Sequence, residues 1–307
     1  MGEGKKVVLD GFETRCVAVG DAELFLRMGG SGPPLLLLHG YPQTHLAWHR
    51  LAPRLTGDFT VVIPDLPGYG ASRGPVPDPE HRNYSKRAMA RAMVELMASL
   101  GHDRFLLAGH DRGGRVGYRL CLDHPERVER FAALDIIPTL DVWEEMDADK
   151  ALGTYHWQFL AVPAPVPERL IGSDPDFYIR HLLNRWAGRS DALEARAVSA
   201  YVEQFRNPAV LAATCADYRA GASVDRAHDA ADRTAGRRIA CPVLLVWGRG
   251  YLTGKASSPL GIWRRWTDNV EEIALDCGHF VAEEEPDACA EALGTFFAAA
   301  RPSAKPC

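Results

Sequence analysis

The sequence predicts an α/β fold in which a mostly parallel, doubly wound sheet has a helical cap inserted between its two halves. Short apolar runs alternate with longer helix-like segments, which is typical of buried parallel strands and their crossover helices. This alternation stops between residues 139 and 239 and then resumes. A chain of 307 residues is long enough for one such domain with an insertion and can bury a sizeable core.

Five uninterrupted apolar runs are the predicted strands of this sheet. Their shortness and lack of polar alternation indicate strands that are buried on both faces. The runs are Leu35–Leu38, Val61–Ile63, Phe105–Ala108, Phe131–Leu134 and Val243–Val246. The predicted helices are Ser85–Leu100, which opens on a residue that favours the N-cap, Arg112–Leu122 and Asp287–Ala299. Strands and helices that alternate in this way form a doubly wound sheet.

The segment between residues 139 and 239 is predicted to be a helical cap. It is rich in Trp, Tyr, Arg and Pro, and strand-like runs do not separate its helical stretches. A stiff bend is expected within it at Pro163–Pro167, where proline occupies alternate positions. Residues 1–138 and 240–307 are then the two halves of the core domain.

The overall composition excludes several classes of protein. Hydrophobic residues make up 47% of the chain and charged residues 24%, and no apolar run is long enough to cross a bilayer. The net charge of -5 is spread along the chain, without a basic stripe that could hold a phosphate backbone. We therefore expect a soluble enzyme or binding protein that acts on neither membranes nor nucleic acid.

The cysteines and the N-terminus favour a cytoplasmic protein. The seven cysteines are scattered, odd in number and without a C-x-x-C spacing, so the sequence predicts neither a disulfide framework nor a zinc site. Met1–Lys6 carries charge but no apolar segment follows it, and we expect no export signal. His45 and His49 have the spacing of a zinc helix, but no Glu follows His45, so we predict no metal.

Residues 109–113, Gly-His-Asp-Arg-Gly, form the motif on which the functional prediction depends. They follow a predicted strand and precede a predicted helix, as in the G-x-S-x-G nucleophile elbow, with Asp111 in the position of the serine. Glycines flank the strained central residue because close backbone contacts leave no room for side chains. On its own such a pentapeptide is common, and Asp111 would more simply be a helix cap.

Two further motifs favour Asp111 as a nucleophile. The first is His39–Pro42, which directly follows the predicted strand Leu35–Leu38. The backbone NH of Tyr41 in this motif would join that of Arg112 to form an oxyanion hole. Near the C-terminus, His279 follows a predicted strand and has the last place in the chain order nucleophile, acid, histidine. The acid must then lie between Asp111 and His279.

Asp135 is the predicted acid of this candidate triad. The loop after the strand Val243–Val246, where an acid often stands, carries no carboxylate up to Lys255. Asp135 ends the preceding predicted strand, and it would orient His279 and stabilise the imidazolium form. The elbow, the chain order and the helical insertion together resemble the α/β-hydrolase fold.

An aspartate in the nucleophile position decides the class of reaction. A serine that attacked a saturated carbon would form an ether, which water and a histidine cannot cleave, whereas an aspartate forms an ester. His279 would activate the water that hydrolyses this ester, and the two backbone NH groups would hold the resulting oxyanion. The predicted substrate is therefore an alkyl halide or an epoxide.

Arg112 and Arg115 indicate a substrate that carries a carboxylate. They stand three residues apart on the predicted helix, so they lie on one face and can reach the same group beside Asp111. Surface arginines in salt bridges are the alternative interpretation, but the helix behind an elbow packs on the sheet, and charges in its first turn face the active site. A pair of planar guanidinium groups suits a carboxylate.

In these details the chain resembles the bacterial fluoroacetate dehalogenases over nearly its whole length. The matching segments are His39–Thr44, Gly109–Arg115, Leu134–Ile136, Tyr155–Trp157, Asp217–Gly221 and Gly278–Phe280. The resemblance implies that His156, Trp157 and Tyr218 form a halide pocket with one donor each, and that Trp186 also lines the pocket. It further implies a short haloacid substrate, a homodimer and no cofactor. Without it, His156 and Trp157 would be interpreted as packing residues.

Two other functions remain open at this point. An epoxide hydrolase uses the same Asp-His-Asp triad together with cap tyrosines, and its substrate offers no carboxylate to the two arginines. Tyrosines are available in the insertion at Tyr155, Tyr178, Tyr201 and Tyr218. A non-catalytic α/β-hydrolase that serves as a ligand receptor commonly lacks a triad member, and here all three are present. A haloalkane dehalogenase usually has Trp after the Asp, where this chain has Arg112.

Overall fold

A computed structural model describes residues 9–189, 191–252 and 258–299 of the chain. Outside these residues lie Met1–Lys6, Cys307 and residues 253–255, which end the loop after Val243–Val246 that carries no carboxylate. An eight-stranded sheet organises the described part. Its strands are β1 (Glu13–Val19), β2 (Ala22–Gly29), β3 (Pro34–Leu38), β4 (Thr60–Pro64), β5 (Phe105–His110), β6 (Val128–Leu134), β7 (Val243–Gly248) and β8 (Val270–Leu275).

The sheet is antiparallel at one edge and parallel elsewhere. Its strands lie in the order β1-β2-β4-β3-β5-β6-β7-β8; β2 is antiparallel to both β1 and β4, and all later pairs are parallel. The predicted fold class is confirmed, and the five predicted runs lie within β3 to β7. The sequence patterns do not predict β1 and β2, because these strands are exposed or half-buried over much of their length and lack a continuous apolar run.

Alternate residues of the central strands contribute to two separate hydrophobic cores. In β3, Leu36 and Leu38 belong to one core and Leu35 and Leu37 to the other. The apolar runs are continuous because each face of the sheet needs every second residue. Because strands β3 to β8 run parallel, their carboxyl ends lie on the same side of the sheet, where α/β folds bind their ligands.

Helices cover both faces of the sheet. The core-domain helices are α1 (Lys86–Ser99), α2 (Arg112–Asp123), α11 (Leu260–Trp263), α12 (Val281–Glu284) and α13 (Pro286–Ala298). Both α1 and α2 pack on the face of Leu36, and α13 packs on the opposite face through Leu293 and Phe297. Ser85 caps α1 as predicted, since its hydroxyl accepts a hydrogen bond from the NH of Ala88 at 3.2 Å.

The chain between β6 and β7 is helical in its described residues. Its helices are α3 (Thr139–Glu144), α4 (Ala148–Gly153), α5 (His156–Ala161), α6 (Val166–Ser173), α7 (Pro175–Trp186), α8 (Ala195–Gln204), α9 (Pro208–Ala222) and α10 (Val224–Thr234). We call this group the cap. Helix α9 is its centre, because it packs on α5 and α6 and also reaches α1 of the core domain. Polar residues of α9 are buried along with apolar ones, so this helix carries charges into the contact between cap and core.

Three further observations concern the described residues alone. No helix among them has both the length and the apolar character needed to cross a membrane. They contain no group of three or more side chains suited to hold a metal ion. Their cysteines are free thiols, and the sulfur atoms of Cys121 and Cys241 lie 3.9 Å apart.

Candidate active site

Asp111 lies at the turn between β5 and α2 with a strained backbone. Its φ is 44°, a left-handed conformation that residues other than glycine rarely adopt. Asp111 stands at the N-cap of α2, but its side chain makes no capping hydrogen bond. A side chain at Gly113 would clash with the backbone carbonyl of Leu38 in β3. The turn is therefore held by backbone packing, and the carboxylate is left available for chemistry.

One oxygen of the Asp111 carboxylate is held by the predicted oxyanion segment. The NH of Tyr41 donates a hydrogen bond to Oδ2 of Asp111, with a distance of 2.9 Å between the two heavy atoms. Arg112 begins α2, so its backbone NH belongs to the first turn, where NH groups have no partner within the helix. The segment after β3 and the start of α2 thus flank the carboxylate as the sequence predicts.

His279 and Asp135 meet at the carboxyl end of the sheet. Nδ1 of His279 lies 2.6 Å from Oδ2 of Asp135, and Oδ1 of Asp135 accepts a hydrogen bond from the NH of Gly248 at 2.9 Å. Burial raises the pKa of Asp135 above its ordinary value, although the hydrogen bond from His279 acts in the opposite direction. Asp135 is a second non-glycine residue with positive φ, at 52°.

The charges around Asp111 keep its carboxylate ionised. Burial opposes ionisation, but His279, Arg115 and Arg112 outweigh it and hold the pKa of Asp111 at about 2. An ionised carboxylate is the form that can act as a nucleophile. The carboxylate of Asp111 is therefore ionised at neutral pH.

A cavity of about 930 Å³ opens beside Asp111 between the core domain and the cap. The predicted site residues that line it are Asp111, Asp135, His279, Arg115, His156, Trp157 and Trp186. Tyr41, Arg112 and Tyr218 are buried and do not line the cavity themselves, and the Tyr218 ring packs against the rings of His156 and Trp157. The tyrosine rings of this group pack edge to face, with the Tyr41 and Tyr218 centroids 5.4 Å apart.

Arg115 reaches the cavity as a buried cation without a direct ion pair in the described part of the chain. Its side chain is 5% exposed, and it forms no ion pair with any residue in the described ranges. Nη1 donates to the carbonyl of Ile137 at 2.7 Å, Nε has no partner, and the guanidinium lies 4.4 Å from the ring centroid of Trp157. Burial lowers the pKa of Arg115 below its usual range. The charge of Asp111 favours the ionised form of Arg115, but no carboxylate forms an ion pair with this guanidinium in the described ranges, so it can still bind an anion directly.

Arg112 differs from Arg115, although the sequence predicts that both reach one group. Its guanidinium forms two hydrogen bonds with the Asp217 carboxylate, of 2.6 and 2.9 Å, and a third with the Asp217 carbonyl. Nη1 alone remains without a partner. Most of the Arg112 binding capacity is therefore used by the cap, and the structure separates the two arginines.

Asp217 is a residue that the sequence reasoning missed. It lies on α9 at 0% exposure, accepts a hydrogen bond from the Tyr69 hydroxyl at 2.8 Å and also binds Lys86 on its other side. Although burial opposes it, the charges of Arg112 and Lys86 hold the pKa of Asp217 well below its usual range. The sequence analysis included Asp217 only as part of the segment Asp217–Gly221 that resembles the fluoroacetate dehalogenases. No local pattern links Asp217 to Arg112, which lies 105 residues earlier in the chain.

An aromatic wall closes the cavity opposite Asp111. His156 lies 4.5 Å from Trp186 and 5.8 Å from Tyr218 between ring centroids, and Trp157 lies 6.0 Å from Tyr218. Burial lowers the pKa of His156 to about 3, so its ring is neutral at physiological pH, and Nδ1 has no partner among the described residues. The structure thus brings the predicted halide-binding residues together next to Trp186.

Tyr251 is a second residue that the sequence reasoning missed. It lines the cavity from the loop after β7, and its ring centroid lies 4.3 Å from that of His279 and 6.2 Å from that of Trp186. Burial raises its pKa above the ordinary value. The absence of a carboxylate in this loop was the only signal, and it directed attention to Asp135 rather than to the aromatic residue that fills the space.

The fold and the site together define a class of protein. A carboxylate in a nucleophile elbow, a histidine bound to a second carboxylate and a helical cap are the parts of an α/β hydrolase. A family model for the alpha/beta hydrolase fold matches residues 33–286. The chain therefore belongs to the α/β-hydrolase family.

Individual relatives narrow this class. The chain is 44% identical to a fluoroacetate dehalogenase from a Burkholderia species, with 96% of each chain covered. It is 32% identical to the soluble epoxide hydrolase of Corynebacterium sp. (strain C12), over 89% of this chain and 92% of that one. A solved structure from Nostoc sp PCC 7120 has a TM-score of 0.92 at 45% identity and covers 94% of this chain and 99% of its own. The predicted resemblance to the fluoroacetate dehalogenases is thereby confirmed.

The contact between Arg112 and Asp217 leads to a prediction about stability. Asp217→Asn should lower the free energy of unfolding by about 3–5 kcal/mol, because it leaves the buried guanidinium of Arg112 without a carboxylate partner and leaves Lys86 paired with Asp225 alone. Equilibrium denaturation in urea measures the difference at neutral pH. The difference from wild type should narrow as the pH falls below about 4, since a carboxylate with a lowered pKa contributes stability that is lost in acid.

A matched control is available on the surface. Asp268 pairs with Arg238 at 2.7 Å but is largely exposed, so Asp268→Asn should change stability little. Equal losses of unfolding free energy in Asp217→Asn and Asp268→Asn would show that the buried ion pairs contribute no more to stability than an exposed one.

Proposed function

We propose that this chain is a hydrolytic dehalogenase that cleaves the carbon-halogen bond of a short 2-haloacid and converts fluoroacetate to glycolate and fluoride. The observation that carries the proposal is Arg115, a buried cation that forms no ion pair in the described ranges and lines the same cavity as Asp111. An anionic substrate would supply the missing charge and place its neighbouring carbon beside the nucleophile. The 44% identical fluoroacetate dehalogenase supports the same substrate class.

The carboxylate of the substrate would be bound mainly by Arg115. Its Nε is free, and the unpaired Nη1 of Arg112 would add a second, weaker contact. The stacking of both guanidinium groups on the rings of Trp157 and Tyr218 keeps them in place. The binding energy would be used to orient the carbon-halogen bond, which is the main advantage of a fixed site in a displacement reaction.

The first chemical step would be the displacement of the halide. Oδ2 of Asp111 is held by the NH of Tyr41, so the other oxygen is the nucleophile. It attacks the halogen-bearing carbon, an oxygen-carbon bond forms, and the halide leaves with the electron pair of the broken bond. His156, Trp157 and Tyr218 would each donate one hydrogen bond to the departing fluoride, which concentrates charge and needs strong donors.

The second step would be hydrolysis of the Asp111 ester. His279, oriented by Asp135, takes a proton from a water that attacks the carboxyl carbon of Asp111. The backbone NH groups of Tyr41 and Arg112 stabilise the oxyanion. The tetrahedral intermediate collapses, and glycolate leaves with the proton from His279. The second proton of the water stays on the carboxyl group of Asp111 and is then lost to solvent, so Asp111 is regenerated as a carboxylate, and no cofactor takes part.

An epoxide hydrolase is the second candidate, and the 32% identical soluble epoxide hydrolase favours it. Tyr218 is buried near Asp111 and Tyr251 lines the cavity, so phenol donors are at hand. An epoxide, however, leaves the charge of Arg115 unpaired. A non-catalytic receptor explains the cation but gives no reason for a histidine held by a buried carboxylate at 2.6 Å.

Substrate assays with a variant of Arg115 test the proposal. The wild type should release fluoride from fluoroacetate and chloride from chloroacetate, and it should leave styrene oxide unchanged. Arg115→Ala should raise KM for both acids about tenfold to a hundredfold, because a hydrogen bond to a charged group is lost. Arg185→Ala, on the exposed rim of the same cavity, is the control and should have little effect. Turnover of styrene oxide without halide release from either acid would favour the epoxide hydrolase.

The nucleophile can be identified by stopping the second step. His279→Asn should still release one equivalent of halide and then retain a carboxymethyl group on Asp111, because displacement does not need the histidine. Mass spectrometry of the peptide that contains Asp111 detects this group. The double variant Asp111→Asn/His279→Asn is the control and should remain unlabelled. One equivalent of halide without a label on Asp111 would assign the attack to another residue.

We also propose that the chain forms a homodimer through the cap, as its resemblance to the fluoroacetate dehalogenases implies. Four of the six large apolar side chains that are most exposed in the described residues lie there, namely Leu152, Val166, Leu170 and Phe177. Exposed apolar groups concentrated on one domain are typical of an interaction surface.

Light scattering tests the oligomeric state. The wild type should have twice the 33.7 kDa mass of one chain, and Leu170→Glu combined with Phe177→Glu should reduce it to a monomer. Val76→Glu changes an even more exposed apolar residue outside the cap and should leave the dimer intact. A wild type that is monomeric at micromolar concentration would contradict the proposal.

A further inference from the structure

The loop that carries His279 is fixed through its backbone by a single carboxylate. Glu284, on α12, accepts hydrogen bonds from the NH of Gly278 at 3.0 Å and from the NH of Phe280 at 3.0 Å. These two residues flank His279 on either side. Both oxygens of the carboxylate are used, Oε2 for Gly278 and Oε1 for Phe280. The direction of the peptide groups around His279 therefore depends on Glu284.

The same carboxylate also reaches the cap. Oε2 of Glu284 accepts a third hydrogen bond, of 2.8 Å, from the NH of Gly188, two residues after the end of α7. The NH of His279 itself donates to the carbonyl of Trp186 at 2.9 Å. A side chain at Gly278 would clash with the backbone of Trp186 and Gly188, so the two segments lie in direct contact. The position of His279 is thus coupled to that of Trp186, which lines the cavity.

Glu284 is buried, at 3% exposure, and it forms no ion pair with any residue in the described ranges. Hydrogen bonds from backbone NH groups are the compensation for its charge. Such charge-assisted bonds are stronger than neutral ones and keep their geometry well. Loss of one oxygen acceptor would leave a backbone NH group buried without a partner, which is costly.

We propose that Glu284 is a positioning residue for the hydrolysis half of the reaction. It holds His279 at the distance from the Asp111 ester that the attacking water requires. Asp111 itself is held by the elbow and by the NH of Tyr41, and neither contact involves Glu284. The displacement step should therefore be independent of Glu284, and ester hydrolysis should depend on it. This inference rests on the two-step mechanism of the proposed function.

The substitution Glu284→Gln tests the inference. The amide has nearly the same size but one oxygen acceptor, and its NH2 group faces backbone donors. With fluoroacetate, kcat should fall about tenfold to a hundredfold, the effect of a small misplacement of a catalytic group. The value of kcat/KM should change little, because it reports the steps up to halide release. Mass spectrometry of the enzyme during turnover should show Asp111 largely as the ester.

Glu285→Gln is the matched control. Glu285 is the next residue, is partly exposed and pairs only loosely with Arg189 at 3.7 Å, so its variant should keep the wild-type constants and show no ester. Glu284→Asp keeps the charge on a shorter side chain and should accumulate less ester than Glu284→Gln. The ester fraction is measured per folded molecule after gel filtration, so partial unfolding does not imitate it.

The outcomes separate this inference from the function on which it rests. Equal losses of kcat and kcat/KM in Glu284→Gln without accumulated ester would overturn the positioning role, provided that His279→Asn traps the ester. If Asp111 is unlabelled in both Glu284→Gln and His279→Asn, the covalent mechanism itself is overturned.

Discussion

The close packing of backbone segments at the turn between β5 and α2 is the constraint on which the rest of the site depends. Asp111 adopts a positive φ there, and Gly113 lies so close to β3 that a side chain would not fit. Backbone strain of about 1–3 kcal/mol persists only where the surroundings over-determine it, and here a parallel sheet does so. The turn places the carboxylate against the NH of Tyr41 and leads directly into α2, which carries Arg112 and Arg115.

Charge pairing across the contact between cap and core follows from this arrangement. Helix α2 presents Arg112, Arg115 and Arg119 on successive turns. The cap neutralises the first with Asp217 and the third with Asp229 and Asp232. Buried ion pairs add little net stability, because desolvation of the charges offsets their attraction, yet breaking one is costly. These pairs therefore fix the orientation of the cap on the core domain more than they strengthen its binding. Arg115 differs from both, because it forms no ion pair in the described ranges and only the more distant charge of Asp111 favours its ionised form.

The two halves of the proposed reaction use different parts of the molecule. Displacement of the halide would depend on the elbow, on Arg115 and on the aromatic wall of the cap. Hydrolysis of the ester would depend on His279, which is attached through hydrogen bonds to Asp135, to Glu284 and to the backbone of Trp186. Trp186 and Tyr251 join the two parts, because each ring contacts His279 and lines the cavity. A cap residue can thus influence either step without touching the reacting atoms.

The sequence by itself determined the central strands, the cap insertion and the candidate nucleophile, histidine and acid. These features are encoded locally, in apolar runs that reflect burial on both faces and in a glycine-flanked turn whose chemistry needs particular residue types. Strands β1 and β2 were not predictable, because their sequence pattern is weak and they are stabilised by pairing with each other and, for β2, with the distant β4. The separate roles of Arg112 and Arg115 were decided by the tertiary structure, which alone brings Asp217 to one of them. Tyr251 and Glu284 were hidden for the same reason: what they do depends on contacts between distant segments, and no spacing along the chain records those contacts.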